Sequence, residues 1–556
     1  MAEAPMPPPA TRLRHLLAGA LSLAFVFRFQ LANGLTLLAG DRYDAVIELA
    51  ILEHWRNVLH GLEPWARTLY FHPVPATLGY NDGYLLFGLL QTIFRGAGAD
   101  PFLGGELVNL TARAIGFAAM LAVGRRVLRL PLPWALLGAV LFTIGNSLFI
   151  RASHAQLLTI GFVPVLVLLL HATLAALAAG RRGALLGWGA ALCAWQAASL
   201  MTGFYMVWYT CFLGGAVLLA WLAVAGAAVR RPWFAALRAQ WLPLLALGVL
   251  ALAVNLPFVV VYLPKAAETG MHPWRDVVLH APTPLDIIHV GEANAVWGWL
   301  VRLLKSWFRP DFPVWGERMT GMPPLLVGLF AASLAWLWRG GPTGGHKMDP
   351  ARLALLRALA IGTVATWALT MQVGGVTGWA LVYGYVPGAK AARVIARYQI
   401  FLALPVVALV ATWLAAHARR LPRFVLLPLV ALLLLEQANS YAPLFLDRTT
   451  ELARLRAVPD PPAGCRAFYV SAARTEQSFD ETVADPYNHN SEAMLLSEVL
   501  RLPTINGIST FNPPLWPSQI PDDPEYLPAV RAYAEAYGVT GLCALDLQRF
   551  QWSGPD

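Results

Sequence analysis

The sequence predicts a polytopic α-helical membrane protein of about eleven transmembrane helices, with interfacial helices in long periplasmic loops and a small C-terminal α/β periplasmic domain. Of its 556 residues, 57% are hydrophobic and only 13% are charged. About a quarter of a soluble globular chain is charged, so lipid must cover much of this surface. Apolar runs near the ~20 residues that cross ~30 Å of hydrocarbon recur along the chain. Between them, arginines cluster in alternate loops.

The predicted spans are apolar runs separated by short polar or basic loops. The first follows the basic sequence TRLRH at 11–15 and continues to about residue 38, which is too long for the core of a signal peptide. The later runs lie near 104–122, 132–150, 157–179, 184–200, 205–228, 242–263, 323–338, 353–372, 398–416 and 424–440. Only the polar stretch MTGFYMVWY at 201–209 divides the apolar region 184–228 into two helices.

The basic loops orient the chain, because lysine and arginine near helix ends are retained in the cytoplasm. The loops assigned to the inside carry Arg125 and Arg126, then Arg181 and Arg182, then Arg230 and Arg231, and later Arg419 and Arg420. This alternation predicts a multi-pass protein of the bacterial inner membrane with a cytoplasmic N-terminus and a periplasmic C-terminal domain. It also accounts for the net charge of +9 without a contiguous basic face, so no nucleic-acid binding is expected.

Composition divides the chain into a transmembrane domain, 1–440, and a C-terminal periplasmic domain, 441–556. The outer segments 39–103, 264–322 and 373–397 of the first domain are longer than simple connectors. Within them, 44–62 and 297–308 show helical apolar spacing with tryptophan and basic residues, and we expect both to lie flat at the membrane interface. Cys465 and Cys543 of the tail are candidates for a disulfide in an oxidising compartment, which the sequence alone leaves open.

The strongest local signal is the sequence GDRYD at 40–44, directly outside the first span. It places Asp41 and Asp44 three residues apart, so that they share a face of a helical turn. One interpretation is that either carboxylate caps the helix that follows, as short acidic side chains commonly do. The other is a general base, since a carboxylate can abstract a proton from an acceptor hydroxyl.

The rest of the first outer segment is rich in histidine, aromatic and amide side chains. Its candidates for binding an acceptor or a sugar are His54, Trp65, His72, Asn81 and Asp82. Aromatic rings stack on sugar faces, while histidine and asparagine fix the orientation of hydroxyl groups. The competing interpretation is an aromatic belt at the membrane interface with scattered polar partners.

Cations at outer turns indicate phosphate binding. Arg151 and His154 lie at a junction of two spans, where a charge is costly unless it meets an anion; snorkelling to headgroups is the alternative. Lys390, Arg393 and Arg397 approach a span from outside, against the positive-inside bias. Arg393 and Arg397 are four residues apart and would share a helical face suited to a departing phosphate. Salt bridges to outer carboxylates are the competing explanation.

The second outer segment contributes the sequence HPWRD at 272–276, in which Arg275 is a candidate for binding the acceptor. The histidines and acids of this segment match no specific zinc-ligand spacing. We therefore assign no residue of the chain to a metal, and we expect this segment to shape the substrate site.

Taken together, these features resemble the GT-C class of integral-membrane glycosyltransferases. The sequences SHAQ at 153–156, RVIAR at 393–397 and TINGISTFNPP at 504–514 also resemble a largely uncharacterised group of bacterial membrane proteins within that class. The resemblance covers most of the chain. It implies inverting transfer of a sugar from a polyprenyl-phosphate carrier to a glycan, lipid or protein acceptor outside the cytoplasmic membrane.

By this resemblance, Asp44 or Asp41 is the general base, and membrane lipid, the lipid-linked sugar donor and the acceptor are the partners. The acids of the family usually lie close together, whereas two residues separate them here. A contribution from Glu48 or Asp82 therefore stays open. No cofactor is assigned, and the sequence leaves open the need for a divalent cation, Mg²⁺ or Mn²⁺.

Two other functions fit a polytopic protein with polar outer loops. A transporter or flippase of lipid-linked sugars would place ionisable residues deep within its spans and show paired repeats, and the sequence has few such charges and no repeat. A polymerase or ligase of lipid-linked glycans would differ little from a transferase in its sequence. A scaffold would not need acids, histidines and aromatics together in its outer loops.

Overall fold

The computed structural model describes residues 9–309, 312, 316–339, 348–474 and 481–555, which are mostly helical. The α-helices are α1 (Pro9–Val26), α2 (Arg28–Ala32), α3 (Asp44–Leu59), α4 (Leu85–Gly96), α5 (Pro101–Ala122), α6 (Leu132–Thr143), α7 (Asn146–Ile150), α8 (Val163–Ala178), α9 (Arg182–Leu200), α10 (Phe204–Val224), α11 (Ala227–Ala239), α12 (Trp241–Thr269), α13 (Trp274–Leu279), α14 (Gly298–Trp307), α15 (Pro324–Trp338), α16 (Pro350–Thr370), α17 (Trp379–Tyr385), α18 (Tyr398–His417), α19 (Arg423–Leu435), α20 (Arg448–Ala457), α21 (Glu481–Leu500) and α22 (Tyr526–Tyr537). The strands are β1 (Leu37–Leu38), β2 (Gln372–Val373), β3 (Val376–Thr377), β4 (Leu446–Asp447), β5 (Ala467–Ala472), β6 (Leu542–Asp546) and β7 (Gln551–Ser553).

Long apolar helices make up most of the chain before the tail. Among the described residues, seven helical stretches are long and apolar enough to cross a membrane: Pro101–Val127, Leu132–Ile150, Ala155–Ala178, Phe204–Val224, Trp241–Thr269, Pro350–Thr370 and Ile395–His417. The other four predicted runs contain α1, α9, α15 and α19, which are shorter or less apolar. The polytopic helical fold class is therefore confirmed, while the count of eleven spans stays a prediction.

The break predicted within 184–228 is present, because α9 ends at Leu200 and α10 begins at Phe204. Backbone of the first outer segment docks on this break. The Leu86 N–H donates to the hydroxyl of Thr202 at 3.0 Å, and the Phe204 N–H donates to Asp82 Oδ1 at 2.8 Å. The polar residues that divide the two helices thus anchor the outer segment above them.

Helix α3 forms where the sequence predicts it, and most of its residues are buried by other parts of the chain. It packs between α4 and α21, and its central residues Ala50, Ile51 and Leu52 are fully buried. The approach of α4 depends on Gly88, where an added Cβ would lie 2.4 Å from Trp55 Cβ. Protein therefore covers the face of α3 that lipid was expected to cover, while the position of α3 at the membrane interface stays a prediction. By contrast, α14 exposes tryptophan side chains.

The tail forms the expected small α/β unit. Strand β5 pairs in parallel with β6, and β6 pairs antiparallel with β7. Cys465, just before β5, forms a disulfide with Cys543 of β6, with Cα atoms 5.7 Å apart. The bridge that the sequence left open is therefore formed.

Short backbone pairings join the tail to the outer segments. Strand β1, just after the first helices, pairs antiparallel with β4, just after α19. Further along, the His72 N–H donates to Thr504 O at 2.8 Å, and the Phe71 N–H donates to Asn506 O at 3.1 Å. The TINGISTFNPP sequence thus lies against the first outer segment, and the tail packs on the outer loops of the helical part.

Candidate active site

The two aspartates at the start of α3 have different surroundings. The turn before them needs Gly40, whose φ is +102° and where a Cβ would lie 2.4 Å from Ala45 Cβ. The Tyr43 N–H donates to Asp41 Oδ1 at 2.9 Å, so Asp41 serves the local backbone. Asp44 is the first residue of the helix, and its side chain is 45% exposed. Asp44 is therefore the carboxylate of the pair that faces open space.

His154 connects Asp44 to a third segment of the chain. Its Nδ1 lies 3.3 Å from Asp44 Oδ2, and its Nε2 lies 3.2 Å from Glu317 Oε1. Nε2 is within hydrogen-bond reach of Glu317, whereas Nδ1 is buried beside Asp44 without the geometry of a hydrogen bond. His154 thus lies between two carboxylates that come from different segments of the chain.

Glu317 is the centre of this arrangement. Arg397 Nη2 and Nε donate to its two oxygens at 2.7 Å and 3.2 Å, and Arg151 Nη1 lies 4.0 Å away. Arg151 also donates to the carbonyl of Gly316. Burial raises the pKa of the Glu317 carboxyl, but the charges of Arg397, His154 and Arg151 outweigh it and hold that pKa well below its usual range. Glu317 is therefore a carboxylate that binds three cationic side chains.

The basic side chains predicted to bind phosphate divide into a buried one that is paired and exposed ones. Arg397 is 7% exposed and paired with Glu317, so its main partner is the outer carboxylate that the sequence left as the alternative explanation. Arg393 and Lys390 are exposed. The Arg393 backbone N–H donates to the hydroxyl of Tyr205 at 3.2 Å, and Lys390 Nζ lies 5.4 Å from the ring centre of Tyr383. The charged heads available to a ligand are thus those of Arg393 and Lys390.

Further acids surround this chain of contacts. Burial, together with the Asp44 charge, raises the pKa of Asp41 to about 6. Burial and the carboxylates of Glu106 and Asp44 raise the pKa of Glu48 to about 8. Burial also raises the pKa of Asp82, although the nearby Arg397 opposes it. Of these acids, Glu48 is buried and Asp82 accepts the first N–H of α10, so neither offers a free carboxylate like that of Asp44.

The structure separates His54 and Trp65 from the aspartates. His54 lies on α3 ten residues after Asp44, about 15 Å along the helix at 1.5 Å per residue. Its side chain is fully buried, and its Nε2 lies 3.0 Å from the backbone oxygen of Trp65. The expectation that His54 contacts a sugar is therefore wrong, because no part of its ring reaches the surface. Trp65 is 38% exposed.

The remaining candidates lie at the edges of the first and second outer segments. His72 is partly exposed and uses its backbone to pair with the tail. Asn81 Nδ2 donates to the hydroxyl of Ser509 in the TINGISTFNPP sequence. Arg275 is exposed on the short helix α13. Asn81 is thus the candidate that links the first outer segment to the motif in the tail.

Sequence reasoning missed Glu317, which lies in the sequence WGERM near the end of the second outer segment. The signal that could have found it is charge: five basic side chains were assigned to outer turns, and a charged group near the membrane needs a partner of opposite charge. It also missed Tyr205, whose ring centre lies 5.7 Å from the guanidinium of Arg397.

No protein-family model matches the chain, and no curated protein matches it either. Among solved structures, the arabinofuranosyltransferase AftD from Mycobacteria is similar, with a TM-score of 0.43, 15% identity, and coverage of 96% of this chain but 35% of that chain. The oligosaccharyltransferase of Archaeoglobus fulgidus, in complex with Zn and sulfate, has a TM-score of 0.43 and 12% identity, with coverage of 95% of this chain and 67% of that chain.

ArnT from Cupriavidus metallidurans in the apo state has a TM-score of 0.39 and 13% identity, covering 96% of this chain and 92% of that one. The same protein bound to undecaprenyl phosphate has a TM-score of 0.33 and 14% identity, with coverage of 89% of this chain and 84% of that chain. These identities and scores are low, and the chain spans about a third of the length of AftD.

Proposed function

We propose that the chain is an inverting glycosyltransferase, which moves a sugar from a polyprenyl-phosphate carrier to an extracytoplasmic glycan, lipid or protein acceptor. The observation that carries this proposal is the chain of contacts from Asp44 through His154 and Glu317 to Arg397. It joins four separate parts of the sequence at one place on the outer loops. A base and a set of cations side by side match what the reaction needs at its two ends.

Asp44 is the general base in this proposal. A base must come within hydrogen-bond reach of the acceptor hydroxyl, and Asp44 is 45% exposed whereas Asp41 accepts the Tyr43 N–H. His154 holds one oxygen of Asp44 and leaves the other for the acceptor. Because Glu317 fixes the other side of the His154 ring, the carboxylate of Asp44 is oriented before the acceptor arrives.

Arg393 and Lys390 bind the carrier phosphate. They extend from the short segment before α18, whose buried Arg397 is anchored by Glu317. That ion pair fixes the start of α18, and the two exposed cations precede Arg397 by four and seven residues on the segment that it anchors. As the sugar leaves its carrier, negative charge grows on the phosphate oxygens, and charge-assisted hydrogen bonds stabilise it.

A divalent cation is not needed for this mechanism. Arg397 already places positive charge close enough to Asp44 for the two charges to interact, and Mg²⁺ or Mn²⁺ would supply the same kind of charge. Mg²⁺ also prefers oxygen ligands, and one oxygen of Asp44 is already in contact with His154. The transfer is therefore assigned to side chains alone.

The reaction takes place on the periplasmic side of a bacterial inner membrane, with the N-terminus in the cytoplasm. The Cys465–Cys543 disulfide supports this side for the tail, because disulfides persist in oxidising compartments. The tail packs on the same outer segments that carry Asp44. The basic loops at the opposite helix ends favour the same orientation.

The proposal is tested by mass analysis of surface glycans and lipid-linked sugars in cells that lack the protein. Complementation uses the wild type, Asp44→Asn and, as a matched control, Asp276→Asn, which changes an exposed acid of the second outer segment. We expect one glycan modification to vanish in the deletion strain, to return with the wild type and Asp276→Asn, and to stay absent with Asp44→Asn. All three variants must be present in the membrane at equal amounts.

Two outcomes would refute the transferase. If Asp44→Asn restores the product fully, the base is elsewhere and the contact chain is structural. If the lost product is restored only when the lipid-linked sugar is supplied on the periplasmic face, the chain moves that lipid across the membrane instead of using it. Accumulation of the unused lipid-linked donor in the Asp44→Asn strain supports the proposal.

A further inference from the structure

A second cluster of chemically active side chains lies under the tail, away from Asp44. It consists of His54 on α3, Glu63 in the loop after α3, and Glu498 on α21 of the tail. One possible metal-ligand atom of each residue lies within 4.8 Å of those of the other two. In the described part of the chain, this is the group of histidine, cysteine and acidic side chains with that spacing. His54 is 0% exposed, the Glu63 side chain 2% and Glu498 2%. The cluster is therefore closed off from solvent.

The orientation of His54 points a lone pair into this cluster. Its Nε2 lies 3.0 Å from the backbone oxygen of Trp65, and since a carbonyl only accepts, Nε2 carries the hydrogen. In the neutral ring, Nδ1 then has no hydrogen, and it lies 3.2 Å from Glu63 Oε1. Two acceptor atoms so close repel each other unless a positive species lies beside them.

The carboxylates of Glu63 and Glu498 also need a positive species beside them. Neither oxygen of Glu63 has a partner with good hydrogen-bond geometry, although the side chain is almost completely buried and lies beside Asn57 and Glu498. The two oxygens of Glu498 accept from the Leu69 N–H at 3.1 Å and from Asn57 Nδ2 at 3.0 Å. Among the described residues, neither glutamate forms an ion pair with a lysine or an arginine. Buried carboxylates without a cation are costly.

We propose that His54 Nδ1 and the carboxylates of Glu63 and Glu498 bind a divalent cation of the zinc type, which joins the first outer segment to the tail. One imidazole nitrogen and two carboxylates suit Zn²⁺, with water in the fourth position. Mg²⁺ and Ca²⁺ prefer oxygen ligands alone. The hydrogen bond from His54 to Trp65 and those from Leu69 and Asn57 to Glu498 orient the ligands from behind, as in known metal sites.

This metal has a structural role and does not depend on the proposed transferase activity. The site ties α3 and the loop after it to α21, and α3 carries Asp44 at its other end. Metal binding occurs only when these parts are in place, so its free energy adds to the stability of the folded chain. The metal therefore holds the tail on the helical part.

The test is metal content and thermal stability of the purified full chain in lipid nanodiscs. The protein is treated with EDTA, dialysed, loaded with ZnCl₂ and freed of excess metal before elemental analysis. We expect one zinc per chain and a higher unfolding temperature, both reversed by EDTA. Glu63→Gln keeps the size of the side chain and removes one ligand charge, so it should weaken zinc binding more than about 100-fold.

His60→Ala is the matched control, because His60 lies one turn and a half beyond His54 in an exposed position. It should bind zinc like the wild type, and X-ray absorption should show one imidazole in the shell of the metal. The proposal is overturned if the wild type retains no more zinc than Glu63→Gln, or if zinc leaves the unfolding temperature unchanged. In that case a proton shared between the two glutamates satisfies the cluster, and stability falls as pH rises through about 7, the pKa to which burial raises Glu63.

Discussion

The ion pair between Glu317 and Arg397 offers the most direct test of the architecture, because its outcome does not depend on the substrate. Glu317→Gln keeps the shape of the side chain and removes its charge. Arg397 is 7% exposed and donates two hydrogen bonds to Glu317, at 2.7 Å and 3.2 Å. Removing one partner of a buried pair costs 3–5 kcal/mol, because the remaining charge is left uncompensated. Since the Glu317 side chain is 21% exposed, we expect a loss of about 3 kcal/mol.

The loss is measured by equilibrium unfolding in mixed micelles, followed by tryptophan fluorescence. Glu292→Gln is the matched control from the same outer segment: its pair with Lys305 is 2.9 Å long, but the glutamate is 29% exposed. Such a pair contributes about 0–1 kcal/mol. The double variant with Arg397→Gln should be at least about 1 kcal/mol more stable than the sum of the single effects. Equal effects of Glu317→Gln and Glu292→Gln, or strict additivity, would show that the pair does not organise the site.

Gly88→Ala should lower the free energy of unfolding by about 1–3 kcal/mol, and with it the unfolding midpoint, because the added methyl would lie 2.4 Å from Trp55 Cβ. The control Gly187→Ala places its methyl in open space and should be neutral or stabilising. An unchanged midpoint for Gly88→Ala would mean that α3 and α4 can separate freely. Burial and the nearby Glu106 carboxylate raise the pKa of Glu48 from 4.5 to about 8, so its contribution to stability is present below pH 4.5 and is lost as pH rises to about 8. Glu48→Gln should flatten this decline in unfolding midpoints measured across that window, and an unaltered slope would assign it to another group.

The helical part could be predicted because lipid imposes a simple rule on sequence. A span must be apolar over its length, so each run was visible, and the polar residues at 201–203 marked the end of α9. The tail was visible for the opposite reason, since its alternating and helical patterns are those of a soluble domain. What the sequence could not show is which surface covers a helix. The spacing in α3 is the same whether headgroups or α21 lie against it.

The composition of the site was harder to predict, because it depends on contacts between distant segments. Asp44 and His154 carried local signals at the ends of spans. Glu317 did not, since a single acid beside an arginine is ordinary in an outer loop, and its partner lies eighty residues further along. His54 shows the reverse: it is near Asp44 in sequence, but a rigid helix carries it about 15 Å away.

The pairing of β1 with β4 sets an order of events during synthesis. The strand just before the aspartates has its partner only at Leu446 and Asp447, beyond the last helix of the helical part. A nascent chain that has inserted every earlier helix of the helical part still lacks the partner of β1, the strand that ends three residues before Asp41. The strand pairing beside the candidate site therefore forms only after residues 446–447 have been made, late in the synthesis of the helical part.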